Sequence, residues 1–275
     1  MPDLSETLKK RIVYALPNMD HVPVRRDLTY KTVGGLELKA DVYYPFDVRE
    51  GDARPAVIFI HGEAPPEILK NAKDWGQYVS WGQLAAASGL IAVTFNHRSS
   101  EWFSKLPEVA SDVDDLLAYV RRNAAELGID RERLGVWTCS GGTPVGLRAA
   151  IRASATGVRC MGVYYGRTNL ELLRETDNAP DAPEEVLREF SPEHHFLQAD
   201  PASLAPLLIA RAGKEALPGV NESIDRFVRL ALAHNAAIEV INHPDGEHGF
   251  DFRNDDARSR EIIRRTLAFM QQSLK

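Results

Sequence analysis

Five consecutive residues, Thr138-Cys139-Ser140-Gly141-Gly142, place a hydroxyl, a thiol and two glycines directly after the apolar run 134–137 and directly before an apolar helical pattern. A hydroxyl held on a tight strand-to-helix turn stands clear of the sheet, and the first amides of the new helix point at whatever it attacks. Nucleophile and anion site would then come from one turn. Such a hydroxyl needs a base to take its proton and an acid to orient the base. Glu215, after the run 207–210, and His248, after the run 238–242 and between Gly246 and Gly249, supply both groups. The chemistry such a set could do is nucleophilic attack by the serine hydroxyl. Thr138 stands where a turn of the G-x-S-x-G type carries its first glycine, so small side chains are expected beside it.

These residues need a frame that brings strand ends together. The 275 residues are 44% hydrophobic and 26% charged, a globular composition with enough length for one large core over 1–275. Apolar runs at 56–60, 91–95, 134–137, 160–165, 207–210 and 238–242 read as buried strands. Helical patterns alternate with them. One begins at Ser111 as a cap, with Val113, Leu116, Leu117 and Val120 on one face; others run through Ile224–Leu232 and Ile263–Leu274. Strand and helix in alternation predict a parallel sheet with right-handed crossovers. Upstream, 29–33 and 36–44 flank Gly34-Gly35 as an antiparallel hairpin. Residues 1–28 read as a short helix followed by a surface connection, and the proline- and acid-rich stretch 166–203 as a small insertion or lid.

Charge and cysteine usage narrow the function classes. A net charge of −6 provides no basic field for nucleic acid or an anionic membrane. The start lacks a signal-peptide pattern and no run approaches the roughly 20 apolar residues of a membrane span, so a cytoplasmic location is expected. Cys139 and Cys160, both in strand-like segments, do not form a disulfide framework, and no metal-binding spacing occurs.

The chain resembles the α/β-hydrolases, most of all their dienelactone-hydrolase and acyl-esterase branch. The resemblance covers nearly all of 25–275 and is carried by His61-Gly62 after an apolar strand, Arg133-Leu134-Gly135 leading into Ser140-Gly141-Gly142, and His248-Gly249-Phe250. It implies the α/β-hydrolase fold: a mostly parallel sheet of about eight strands, helices on both faces and a small insertion after the sixth strand. It also implies cofactor-free hydrolysis of a small-molecule ester or lactone, with Ser140, His248 and Glu215 as the catalytic set. Aminoacyl peptidase chemistry and a non-catalytic ligand-binding protein are the alternatives, and a homodimer stays open.

Cys139 competes with Ser140, because Cys139-Ser140-Gly141-Gly142 also matches C-x-G-G, the cysteine version of the elbow in dienelactone hydrolases. Counting five residues from Gly135, the spacing of similar hydrolases, selects Ser140. Pro144 agrees, since the serine frame keeps it nearer the start of the helix. The anion hole should combine the amides of Gly141 and Glu63, with the Glu63 side chain a gating or specificity element. Tyr165, Arg167, Arg98, Phe250 and Cys139 are the candidate substrate contacts, with Trp102 and Phe103 as apolar walls. Arg98 and Arg167 would suit an acidic substrate.

Overall fold

The computed structural model describes residues 4–176 and 179–275. Its sheet consists of β1 (Val24–Val33), β2 (Leu36–Tyr43), β3 (Arg54–Ile60), β4 (Ile91–Phe95), β5 (Ile129–Cys139), β6 (Val158–Tyr164), β7 (Leu207–Ala212) and β8 (Ile238–His243). The order across the sheet is β1-β2-β4-β3-β5-β6-β7-β8. β2 runs antiparallel to both its neighbours, and every pairing from β4 through β8 is parallel. Gly34 and Gly35 turn the hairpin, both at positive φ, the geometry that matches strand twist. This is the α/β-hydrolase fold, with the carboxyl ends of the six parallel strands β3 to β8 delivered to one edge.

The central strands are apolar throughout because helices cover both faces. On β3, Ala56, Ile58 and Ile60 enter one core while Val57 and Phe59 enter the other. The helices are α1 (Leu4–Lys9), α2 (Pro66–Leu69), α3 (Gly76–Ala87), α4 (Leu106–Arg122), α5 (Thr143–Ala153), α6 (Glu184–Glu189), α7 (Pro192–Gln198), α8 (Val220–Ala233), α9 (Phe250–Arg253) and α10 (Ala257–Ser273). α4, α5 and α8 fill the first core, and α3 and α10 fill the second. Among the described residues no helix is long and apolar enough to cross a membrane.

Two expectations need correction, and a third, the stretch 166–203, gains detail. α4 begins at Leu106, with Pro107 in its first turn, so Ser111 lies inside the helix and caps nothing. Leu106 and Val109 extend the apolar stripe one turn back, and proline suits that first turn. Residues 1–28 are more than a surface connection, because Ile12, Met19 and Val22 are buried in the second core. The stretch 166–203, whose Asp177 and Asn178 lie outside the described residues, is a docked cap. Leu170, Leu187, Phe190 and Phe196 are buried in the first core, and Thr168 Oγ1 donates to the Ser223 carbonyl at 2.8 Å.

Candidate active site

β5 ends at Cys139, and the chain turns at once through a single 3-10 turn, Ser140–Gly142, into α5. Ser140 has φ 50°, the left-handed region that costs a non-glycine residue about 1–3 kcal/mol and occurs where surrounding structure over-determines it. Close backbone packing provides that constraint. A Cβ on Gly141 would lie 2.3 Å from Glu63 Cβ, and one on Gly142 would lie 2.1 Å from the His61 carbonyl oxygen. Thr138 finds the small neighbours its Cβ needs: a Cβ on Gly146 of α5 would come within 2.9 Å of Thr138 Oγ1. The glycine absent from the turn is replaced by one in the helix behind it.

The strand-end residues converge. Ser140 Oγ is 2.7 Å from His248 Nε2, and His248 Nδ1 is 2.6 Å from Glu215 Oε2. With a carboxylate accepting at Nδ1, that nitrogen carries the proton and Nε2 is left to accept from the serine. Burial opposes ionisation of Glu215, but the bond from His248, together with the Leu217 and Ala216 amides, outweighs it and holds the carboxyl below its ordinary range. Two other acids near these strand ends are engaged elsewhere, Asp225 with Arg211 and Asp245 with Lys214. His243 is buried against Asp256 and Ser259.

The turn after β3 faces the serine. The His61 ring stacks on His97 at 3.5 Å between centroids. Burial, with His97 alongside, keeps His61 well below the usual histidine range, so it is neutral; Nδ1–H donates to the Gly62 carbonyl at 2.9 Å while Nε2 accepts from the His97 amide at 3.1 Å. That histidine pins the turn. The Gly62 amide is consumed by the Tyr78 hydroxyl at 2.9 Å, whereas the Glu63 amide has no acceptor among the described residues. The Glu63 carboxylate does not gate the cavity. It accepts from the Ser99 hydroxyl and, at 2.9 and 2.6 Å, from the amide and hydroxyl of Ser100. It thereby anchors Glu101-Trp102-Phe103, three successive residues at φ 47°, 55° and 73°.

Two cavities meet at the serine. The larger, about 560 Å³, is walled by Trp102, Phe103, Tyr165, Arg167, Leu217 and Val220 among others. The smaller, about 220 Å³, is walled by Thr7, Leu8, Trp75, Tyr78, Cys139 and Phe252 among others. Ser140, His248, Glu63 and Tyr165 border both. Among the described residues no group of His, Cys, Asp and Glu side chains is placed to hold a metal.

Two expected contacts, Arg98 and Phe250, reach neither cavity, and Cys139 reaches only the wall of the smaller one. Arg98 borders neither of these cavities; its Nε and Nη2 grip Asp112 at 2.8 and 2.9 Å, which neutralises its charge and holds it away from the serine. Phe250 is fully buried, stacked on Tyr164 at 5.4 Å. Cys139 is 1% exposed with Sγ 3.4 Å from the Tyr78 hydroxyl, and burial drives its thiol far above the ordinary range, which removes the thiolate a nucleophile requires. Asp251 lies three residues after His248, and no pattern in the sequence marks it. It is a buried carboxylate accepting from Tyr165, Gln77 and Trp81 at 2.5, 2.9 and 2.9 Å. It fixes Tyr165, whose ring lies 4.7 Å from that of His248. No periodicity marks Gln77 or Trp81, since α3 is buried on most sides.

Comparison with known proteins agrees with this architecture. The chain is 30% identical over 139 residues to the non-reducing polyketide synthase ausA of Aspergillus calidoustus, 46% of this chain and 6% of that protein. It is 23% identical over 244 residues to Esterase LipC of Mycobacterium tuberculosis, 79% of this chain and 58% of that one, so it spans less than two thirds of either relative. Among solved structures, the propionate-bound esterase Est2 of the planctomycete Thermogutta terrifontis superposes with a TM-score of 0.70 at 22% identity, covering 93% of this chain and 96% of the other. The same esterase phosphonylated by cyclosarin gives 0.69 at 19% identity over 93% and 94% of the two chains. At such identity the likeness establishes the fold. The BD-FAE family model matches residues 40–185, from β2 through the serine turn and into the cap, which is more than half the sequence, and the chain belongs to that family.

Proposed function

We propose that the protein is a serine hydrolase of small carboxylic esters, acting through an acyl-enzyme. The observation that carries this reading is the unbroken chain from Ser140 Oγ through His248 to the Glu215 carboxylate, at 2.7 and 2.6 Å. His248 takes the serine proton as Oγ bonds to the acyl carbon, and the carbonyl oxygen becomes an oxyanion facing the Gly141 and Glu63 amides. Collapse of that intermediate breaks the ester C–O bond, and His248 returns the proton to the departing alcohol. Water, deprotonated by the same histidine, then releases the acid. Glu215 holds the imidazole and stabilises its charged form. A lactone, as a cyclic ester, would meet the same groups. The name of Esterase LipC supports ester cleavage, and the propionate- and butyrate-bound forms of the Thermogutta esterase support a short acyl chain.

A fluorophosphonate probe tests the assignment. Wild type and Cys139→Ala should be labelled, and Ser140→Ala should be neither labelled nor active on p-nitrophenyl butyrate. Labelling that survives Ser140→Ala and disappears in Cys139→Ala would transfer the role to the thiol. A wild type neither labelled nor active would leave a ligand-binding protein.

A further inference from the structure

Arg167 is the one candidate substrate contact that is charged, half-buried and left without an acid. It follows the end of β6 and forms part of the wall of the larger cavity, the wall that also holds Ser140 and His248. Its Nη2 donates to the Pro218 carbonyl at 2.7 Å, Nε is buried with no acceptor, and Nη1 has no partner among the described residues. No described carboxylate lies within ion-pairing distance of it. The acids bordering the cavity are committed or outside: Glu63 to Ser99 and Ser100, Glu101 to Lys105 at 2.5 Å, and Asp181 exposed at the rim. Glu215 is occupied by His248.

A guanidinium withdrawn from water is ordinarily compensated by a carboxylate within the protein, because its desolvation is otherwise unopposed. Arg98 in this same chain shows the compensated arrangement, with both branches of its fork on Asp112. Arg167 lacks that compensation, and its open side faces the space a substrate would occupy. The remaining wall is largely apolar, with Trp102, Phe103, Leu173 and Val220.

We propose that the larger cavity selects esters carrying a carboxylate, which Arg167 receives, on an otherwise hydrocarbon body: the monoester of a dicarboxylic acid, or the ester of an acid-bearing alcohol or phenol. This rests on the hydrolase reading above and names its substrate class. A carboxylate there completes the guanidinium's bonding and places the ester across the two cavities at Ser140.

Chain-matched esters test this. Mono-p-nitrophenyl adipate against p-nitrophenyl hexanoate places the charge on the acyl side, and 4-carboxyphenyl hexanoate against phenyl hexanoate places it on the leaving side. In one of the two pairs, wild type should favour the charged member in kcat/KM, and Arg167→Leu should lower that preference about tenfold to a hundredfold, the size expected for losing a charged hydrogen-bonding pair. Arg167→Lys should retain part of it. If the arginine instead acted through Glu215, Arg167→Leu would depress charged and neutral esters alike and leave the preference unchanged, which overturns the proposal, as does a wild type that favours neither charged ester. Binding gives a readout separate from turnover. In Ser140→Ala, monomethyl adipate should bind more tightly than methyl hexanoate by calorimetry, and adding Arg167→Leu should erase the difference. Equal binding of the two esters refutes the carboxylate site. A retained difference in a protein with no ester turnover supports the site while refuting the hydrolase reading.

Discussion

Removing the Glu63 carboxylate should release the turn that carries Trp102. Three consecutive residues at φ 47°, 55° and 73° cost roughly 1–2 kcal/mol each, or about 3–6 kcal/mol for the turn. Against this stand the Ser99 hydroxyl and the Ser100 amide and hydroxyl, all donating to one carboxylate. At about 1.5–3 kcal/mol for a hydrogen bond to a charged group, they contribute roughly 4–9 kcal/mol. The two sums are of similar size, so the anchor decides the conformation. With Phe103 buried and the Lys105 amide still bonded to the Ser100 carbonyl at 2.8 Å, part of the turn's support survives. Glu63→Ala should therefore cost about 2–4 kcal/mol net, lowering Tm by roughly 5–10 °C for a chain of this length. Amide exchange at Ser100, Glu101 and Phe103 should accelerate well beyond the rest of the fold. Ser100→Ala leaves the turn after β3 intact and removes one of the three donors to Glu63 together with the acceptor of the Phe103 amide, so it should loosen Phe103 most and the other amides less. Unchanged exchange at Ser100 and Phe103 in both variants, with Tm preserved, would refute the reasoning.

Two further variants probe the buried acids. Glu215→Gln should lower kcat by about 10²–10⁴-fold, since a neutral amide neither fixes the tautomer nor stabilises the imidazolium. Because the Glu215 carboxyl is held below its ordinary 4.5, its ionised form stabilises the fold above that pH, and the contribution is lost as pH falls through the folded-state value. The Tm gap between wild type and Glu215→Gln should accordingly be open at pH 7 and close below 4.5; a gap constant with pH would show that Glu215 contributes no such charge-dependent stability. Tyr165→Phe leaves the buried Asp251 with the Gln77 and Trp81 donors and should destabilise by about 2–3 kcal/mol by thermal melting. A variant as stable as wild type would show that the Tyr165 bond adds nothing to the fold.

Much of the architecture was legible because buried parallel strands are apolar on both faces and so announce themselves as continuous runs. The strand limits at β3 and β4 read almost directly. α3 carried no stripe, since it is covered on most sides, and the start of α4 was read one turn late, because Asp112 beside Ser111 resembles an N-terminal cap and first turn. That acid belongs to a buried cluster with Arg98 and Lys31.

The sequence by itself determined which side chains end the strands: in a parallel sheet every carboxyl end lies on one edge, so Ser140, Glu215 and His248 share that edge, and the loops after β7 and β8 close the distance to the serine. Which of the remaining candidates face a substrate was decided by the tertiary structure. Arg98 and Arg167 both follow strands and look alike in sequence, yet one meets Asp112 across the β4–α4 packing while the other meets only a carbonyl and open cavity. Phe250 and Cys139 are likewise adjacent to the serine and histidine in sequence and are enclosed by the second core. The physical reason is that burial and charge pairing depend on what packs alongside from distant segments, and no local pattern of residues records it.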